Sequence, residues 1–408
     1  MTRTALAHPR LAQPNIVLGL VSAAHAVNHA FSILMQVQIY PLILDEFHLT
    51  NGDIGLMVGV GTAVSGFLQF AFSYLSRYVA RRVLIGVGQL VMGVSSALAG
   101  LTPGYPLFFL WNTLARLAGS PQHPVGNSII SDRFAQKARG LALSMHVTGG
   151  NVGTVAAQIL GAVVVAALGW RMTLYVFAAL AILMGLAVVF LVDDHKSAEL
   201  AAYEADAHQR PLWSHLSEIL RERNIFFIMI ASTIAAGGRG LGVLTTYVPL
   251  YFNSVHLDKF TFDLLNTLML IGAVVGPAVL GRVSDSAGRK RTLFWTYGAA
   301  TVISLVFISL SPSSLAQLVI IFLLGTTYSE SPLLQAFLAD STMKVDRDLA
   351  FGLYFTITFG IGSIWTTLLG YFIDAFGFQW GFYVMAATYI GAALLLLPTR
   401  DVKEHHST

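Results

Sequence analysis

The chain has 408 residues, 55% of them hydrophobic and 11% charged, with a formal net charge of +3. An ordinary soluble domain carries roughly a quarter charged residues, so this composition and a mean hydropathy of +0.68 exclude a soluble globule. The basic residues sit in short segments between apolar runs, which excludes a nucleic-acid face, and the absence of cysteine removes disulfides and thiolate metal sites.

A membrane-crossing helix needs about 20 apolar residues, and hydrocarbon tolerates only backbone that closes its own hydrogen bonds. Twelve such helices are predicted, centred in residues 16–44, 52–76, 82–101, 106–130, 140–166, 172–192, 224–250, 262–281, 291–310, 315–338, 350–373 and 378–398. The first follows a short polar tail and is long, so it reads as a spanning helix and not a cleaved leader. It carries His25 and His29 at i and i+4, hence on one face, with Asn28 beside them and Gln36 farther on, and it ends Tyr40-Pro41-Leu42. The stretch FSYLSRYVARRVL, with Arg81, follows the second. The fourth holds Arg116 and then His123 in GSPQHPVGNSIISDRF; the fifth holds His146, Gly149, Gly150 and Gly153. Gly169-Trp170-Arg171 opens the sixth.

Residues 193–223 form the longest polar segment. Leu212, Trp213, Leu216, Ile219 and Leu220 have helical spacing with charges opposite, which predicts a helix lying at the membrane surface, with a regulatory partner site as the alternative. Arg239 lies in the seventh helix among Gly237, Gly238, Gly240 and Gly242, a composition that permits close packing or local unwinding. The eighth contains Gly272, Gly276 and Pro277 and runs into GRVSDSAGRKRTL, Gly281 to Leu293. Glu330 lies in the tenth, ten residues before Asp340, or about 15 Å along a helix.

The second half repeats the first at an offset of 208 residues. Arg81 aligns with Arg289, Arg82 with Lys290, Pro41 with Pro249, and Pro124 before Asp132 with Pro332 before Asp340. The predicted organisation is an N-terminal six-helix bundle (1–192), a cytoplasmic linker (193–223) and a C-terminal six-helix bundle (224–408). Lysine and arginine are retained on the cytoplasmic side. With the N-terminus inside, all but four of the 24 fall on that side; Arg171 and Lys259 lie outside, and Arg116 and Arg239 lie within helices.

The phrase around Asp285 fits G-x-x-x-D-x-x-G-R-[RK], and the chain resembles the major facilitator superfamily over nearly its whole length. The H-x-x-N start of the first helix, its Pro-Leu exit, the Leu-Thr-x-x-x-Ile-Gly entry to the second and the His-Pro-x-Gly of the fourth are similar to the fosmidomycin-resistance, drug-efflux branch. The resemblance implies an all-α integral membrane protein of twelve transmembrane helices in two pseudo-symmetric six-helix bundles, in the inner membrane of a bacterium with both termini cytoplasmic, driven by proton entry. Gly281, Asp285, Gly288 and Arg289, with Arg81 in the first half, become a conformational latch. Two departures matter: His29 stands where relatives typically carry an acid, and Thr154 replaces the proline of the antiporter pattern.

Ionisable groups in hydrocarbon are expensive, so each is a functional candidate. Glu330 is the candidate proton carrier; the alternative is a structural partner of Arg239 or of hydroxyls such as Ser329. Histidine changes charge near neutral pH, so His29 and His25 are candidate second proton groups, with a transition-metal pair or plain helix–helix hydrogen bonding as alternatives. Arg116, Arg239, His123, Asn28 and Gln36 are candidate substrate contacts, the two arginines suiting an anion. The expected function is proton-coupled efflux of a small amphipathic or anionic compound by a monomer in the lipid bilayer, not an enzyme, with no cofactor and no resident metal. Proton-coupled uptake of an organic anion, metal efflux and a transport-dead sensor are the alternatives.

Overall fold

The computed structural model describes residues 13–76, 78–134, 136–194, 212–342 and 347–401. Most of the predicted linker (195–211) and Arg77 lie outside the described residues, as do the side chains of Leu212, Trp213 and Leu216. By spatial contact the chain forms two compact units, one of Met1–Gln38 with Phe67–Gln209 and one of Ile39–Gly66 with Arg210–Thr408.

Of the fourteen helices among the described residues, thirteen account for the twelve predicted spans, and the one at Leu212–Arg221 falls where the sequence predicts the surface helix. In order they are α1 (Pro14–Glu46), α2 (Asn51–Leu75), α3 (Arg81–Gly100), α4 (Tyr105–Ala118), α5 (Gln122–Arg133), α6 (Gln136–Leu191), α7 (Leu212–Arg221), α8 (Arg223–Ala235), α9 (Thr245–Ser254), α10 (Lys259–Ala287), α11 (Arg289–Ser309), α12 (Leu315–Ser341), α13 (Ala350–Phe376) and α14 (Phe378–Leu396). The fourth predicted span is broken into α4 and α5 at Gly119-Ser120-Pro121, where proline lacks the donor that would continue the ladder. The fifth and sixth are joined by a single residue instead of a loop: inside α6 only Gly169 leaves the helical region, at φ 74°. That left-handed backbone is open to glycine at little cost, and Gly377 repeats it at φ 87° between α13 and α14. The seventh span is interrupted between α8 and α9, with wide π-type turns over Gly240–Leu244; α1 has similar turns at Leu34–Ile39.

The duplication shows in the backbone itself. Among the described residues, His48 and His256, again 208 apart, are the two non-glycine residues with positive φ, at 51° and 52°. Asp45 and Asn253, one more such pair, bond each other: Asn253 Nδ2 donates to Asp45 Oδ2 at 3.2 Å.

Large apolar side chains such as Val163, Leu183 and Val302 face outward, as a lipid-facing surface requires. Lipid is as apolar as leucine, so helices associate through close packing of small residues. Gly149, Gly150 and Gly153 of α6 lie against Ser22, His25 and Ala26 of α1, and Gly272 and Gly276 of α10 lie against the backbone of Phe322 and Thr326 of α12. Asp258 caps α10 by accepting from Thr261 N at 3.0 Å, and the hydroxyl and N–H of Thr261 hold its carboxyl below the usual range.

Candidate functional site

Each unit contains a buried polar centre within its helices. In the C-terminal one, the break after α8 releases Arg239 from helical geometry and turns its guanidinium onto α12. Nε lies 2.9 Å from Oε1 of Glu330. Nη2 donates to both the carbonyl and the hydroxyl oxygen of Ser232 at 2.8 Å, and Nη1 donates to Thr358 O at 3.4 Å. The Tyr297 hydroxyl donates to Glu330 Oε2 at 3.3 Å, while Ser232 links onward to Tyr354 and Thr358. Glu330 is fully buried. A buried charge of this kind is tolerable only when paired and hydrogen-bonded, and here both are satisfied. The two sequence readings of Glu330 thus meet in one geometry, a deep carboxylate in direct contact with Arg239. A cavity of about 20 Å³ opens beside Arg239, lined by Thr62, Gly242, Thr358 and Phe359, which is the room of about one water molecule.

Tyr297, Ser232, Tyr354 and Thr358 were not singled out from sequence. A signal existed for the first: Thr292, Thr296, Tyr297 and Ser304 put polar groups on the buried side of α11.

In the N-terminal unit the predicted pair of histidines becomes a group of four. His25 and His29 stand edge to face, with ring centres 4.5 Å apart; His123 from α5 lies 4.8 Å from His25; His146 from α6 stacks on His25 at 4.3 Å. Nδ1 of His25 is 3.1 Å from His146 O, and Nδ1 of His29 is 3.2 Å from Thr154 Oγ1. Gly150 makes this possible, since a Cβ there would lie 2.9 Å from Cε1 of His25. Asn28 does not join the imidazoles; its amide donates to Gly119 O at 3.3 Å, in the break between α4 and α5. Gln122 and Gln89 similarly donate to the α1 carbonyls of Val21 and Ala24. Gln36 is buried in the wide turns of α1, and Arg116 occupies the last turn of α4.

The two arginines of the predicted latch, Arg81 and Arg289, form ion pairs at matching places in the repeat, and Arg289 forms one more. Arg289 reaches Asp285 at 2.6 Å and Asp340 at 3.0 Å; Arg81 reaches Asp132, also at 3.0 Å, and the Asp194 carbonyl. Asp132 and Asp340 complete the pairs and were signalled only by the prolines eight residues before them. Gly288 has φ 92° between α10 and α11, whereas a Cβ on Gly281 would meet open space, so packing does not demand glycine there. A further anchor was not foreseen. Asp374, near the end of α13, accepts from Asn51 N and Nδ2 at 2.9 Å and from Gly52 N at 2.7 Å, placing a carboxylate on the N-terminus of α2, where the free N–H groups favour an anion.

A helical membrane protein with twelve spans, an internal repeat and buried charges in each half is built as a solute carrier is built. The pattern of the Major Facilitator Superfamily matches residues 24–330 and 256–408, and the chain belongs to that superfamily: it is a multi-pass membrane transporter, not an enzyme. It is 23% identical to the fosmidomycin resistance protein of Escherichia coli (strain K12), over 95% of this chain and 94% of that one. It is 22% identical to the cis,cis-muconate transport protein of Acinetobacter baylyi (strain ATCC 33305 / BD413 / ADP1), over 88% and 87%. Among solved structures, a D-xylose-proton symporter superposes with a TM-score of 0.75 at 13% identity, covering 95% of this chain and 99% of that one. A bacterial homologue of the human lysosomal transporter Spinster, inward-facing and occupied, gives 0.76 at 15% identity, covering 95% and 97%. These likenesses extend to the fold.

Proposed function

We propose that the protein carries a small organic anion across a bacterial inner membrane, coupled to protons, as a monomer with both termini in the cytoplasm and with its halves, 1–192 and 224–408, alternating access. The observation that carries the reading is the buried contact between Arg239 and Glu330. While Glu330 is ionised it occupies the guanidinium. A substrate anion takes over Arg239 only when Glu330 lets go, and protonation of the carboxylate permits that exchange without leaving a bare charge in the interior. Anion and proton then bind together, which makes the linked direction co-transport. The small cavity beside Arg239 requires the site to open before a substrate enters, in keeping with a cycle that rocks the halves about a central site. Arg116, Asn28, Gln36 and His123 remain proposed contacts from the other half, and Gly281, Asp285, Gly288, Arg289 and Arg81 the proposed cytoplasmic latch. The one-sided distribution of lysine and arginine supports the orientation.

Export by antiport is the second reading, favoured by the fosmidomycin resistance protein over almost the full length. There a donor group on the substrate would take the Glu330 carboxylate and exclude the proton, so that substrate and proton travel on alternate legs. Proteoliposomes decide between the two, with labelled cis,cis-muconate and fosmidomycin as probes. Accumulation driven by an alkaline interior supports co-transport; accumulation driven by an acidic interior supports antiport; flux indifferent to the pH gradient overturns the proton coupling of both.

A further inference from the structure

We infer that His25, His29 and His123 form a binding site for a divalent transition-metal ion, of the zinc, nickel or cobalt type. One ring nitrogen from each lies within 4.8 Å of one from each of the others. Three nitrogens on a single zinc-type ion, at about 2.0–2.1 Å from it, stand roughly 3.3 Å apart, so small rotations of the three rings close the set.

The hydrogen bonds around the rings fix which nitrogens are available. A carbonyl only accepts, so His25 Nδ1, facing His146 O, must carry its hydrogen. Its Nε2 then bears the lone pair, and that atom is buried with no hydrogen-bond partner, in a side chain only 2% exposed. The Thr154 hydroxyl spends its hydrogen on Gly150 O at 3.2 Å, so His29 Nδ1 is the donor in the His29–Thr154 bond, and Nε2 of His29 is likewise left as a base. Metal-bound histidine usually has this arrangement, with the far ring N–H held by a carbonyl or another oxygen acceptor that fixes tautomer and orientation. A buried lone pair without a partner is unfavourable, and a cation among the three rings removes that cost. Imidazole donors with no thiolate suit zinc, nickel and their neighbours over magnesium or calcium. Three ligands leave a coordination position open. His146 supports the site, supplying the carbonyl and the ring stacked on His25.

This site lies in the N-terminal unit; it shares His25 and His29 with the candidate second proton groups and His123 with the proposed substrate contacts, but it does not involve the contact between Arg239 and Glu330 that carries the transport reading, and its test is equilibrium binding, so its failure and that of the transport reading are separate events. Untagged full-length protein in detergent, stripped with chelator, is titrated with Co²⁺ as the probe. One equivalent is expected to bind with the visible absorption of a nitrogen-ligated ion of low coordination number and to be displaced by Zn²⁺. His29→Ala and His123→Gln should each weaken binding at least 100-fold, and Thr154→Val, which touches no metal, by roughly 10-fold as an outer-shell change. His405 and His406 are present in every variant and set a common background. If the alanine variant does not fold, His29→Gln and Thr154→Val carry the comparison. Absence of a stoichiometric cobalt site, or affinity and spectrum unaltered by His29→Gln and Thr154→Val, overturns the assignment.

Discussion

Arg81 meets Asp132 across 3.0 Å with side chains only 1% and 5% exposed. Its duplicate, Arg289 with Asp340, has the same length but exposures of 23% and 45%. Equal geometry in unequal surroundings predicts unequal energies. Asp132→Ala, which takes the carboxylate away from a buried guanidinium, should cost about 3–5 kcal/mol, while Asp340→Ala should cost less than about 1 kcal/mol. Thermal unfolding in detergent measures both; equal losses would mean that burial does not separate the two copies.

The contact between Arg239 and Glu330 yields a graded series. Glu330→Ala leaves the guanidinium without its carboxylate and should lower stability by about 3–5 kcal/mol. Glu330→Gln retains an oxygen for Arg239 Nε and turns an amide N–H toward the Tyr297 hydroxyl, which then accepts instead of donating, so it should fold and still exchange substrate in counterflow, yet lose accumulation driven by a pH gradient. Gradient-driven transport at the wild-type level in this variant would remove Glu330 from the coupling.

The glycines of α6 should differ sharply in tolerance. A Cβ on Gly153 would lie 2.6 Å from the Cα of Ala26, a backbone that cannot step aside, whereas one on Gly150 meets ring atoms of His25 at 2.9–3.2 Å. Gly150→Ala should cost about 1–3 kcal/mol, the usual range for overpacking, and Gly153→Ala more than that. The yield of monodisperse protein and its melting temperature give the order, and the reverse order would contradict the packing.

Asp374 collects three donors from the start of α2. Hydrogen bonds to a charged group contribute about 1.5–3 kcal/mol each, so Asp374→Ala should raise the exposure of this end at least about tenfold. The chain has no cysteine of its own, and a single Leu49→Cys reporter should react correspondingly faster with a water-soluble maleimide. An unchanged rate would show that other contacts hold this end.

The twelve spans, the repeat and the start of the sixth span at Gly169 were legible because each is dictated locally, by apolar length, by a fixed offset or by a residue type that favours a turn. Single deep residues were legible too, since Glu330 and Arg239 stand out in apolar runs. What they touch was not. His123 and His146 are about a hundred residues beyond His25, and no periodicity connects α5 and α6 to one face of α1. Tyr297 and Asp374 meet Glu330 and Asn51 only through tertiary packing, across 33 and 323 residues of sequence.

Asp45 and Asn253 occupy the same place in the two copies of the repeat and bond each other. Elsewhere the copies were free to drift apart after duplication, each residue judged by its own neighbours. At this place a residue is judged against its own double. Two aspartates would set like charges face to face, two asparagines would not, and one of each adds a charge-assisted hydrogen bond. The sequence asymmetry between the halves is therefore not only accumulated change; here it is what allows a duplicated position to complement itself.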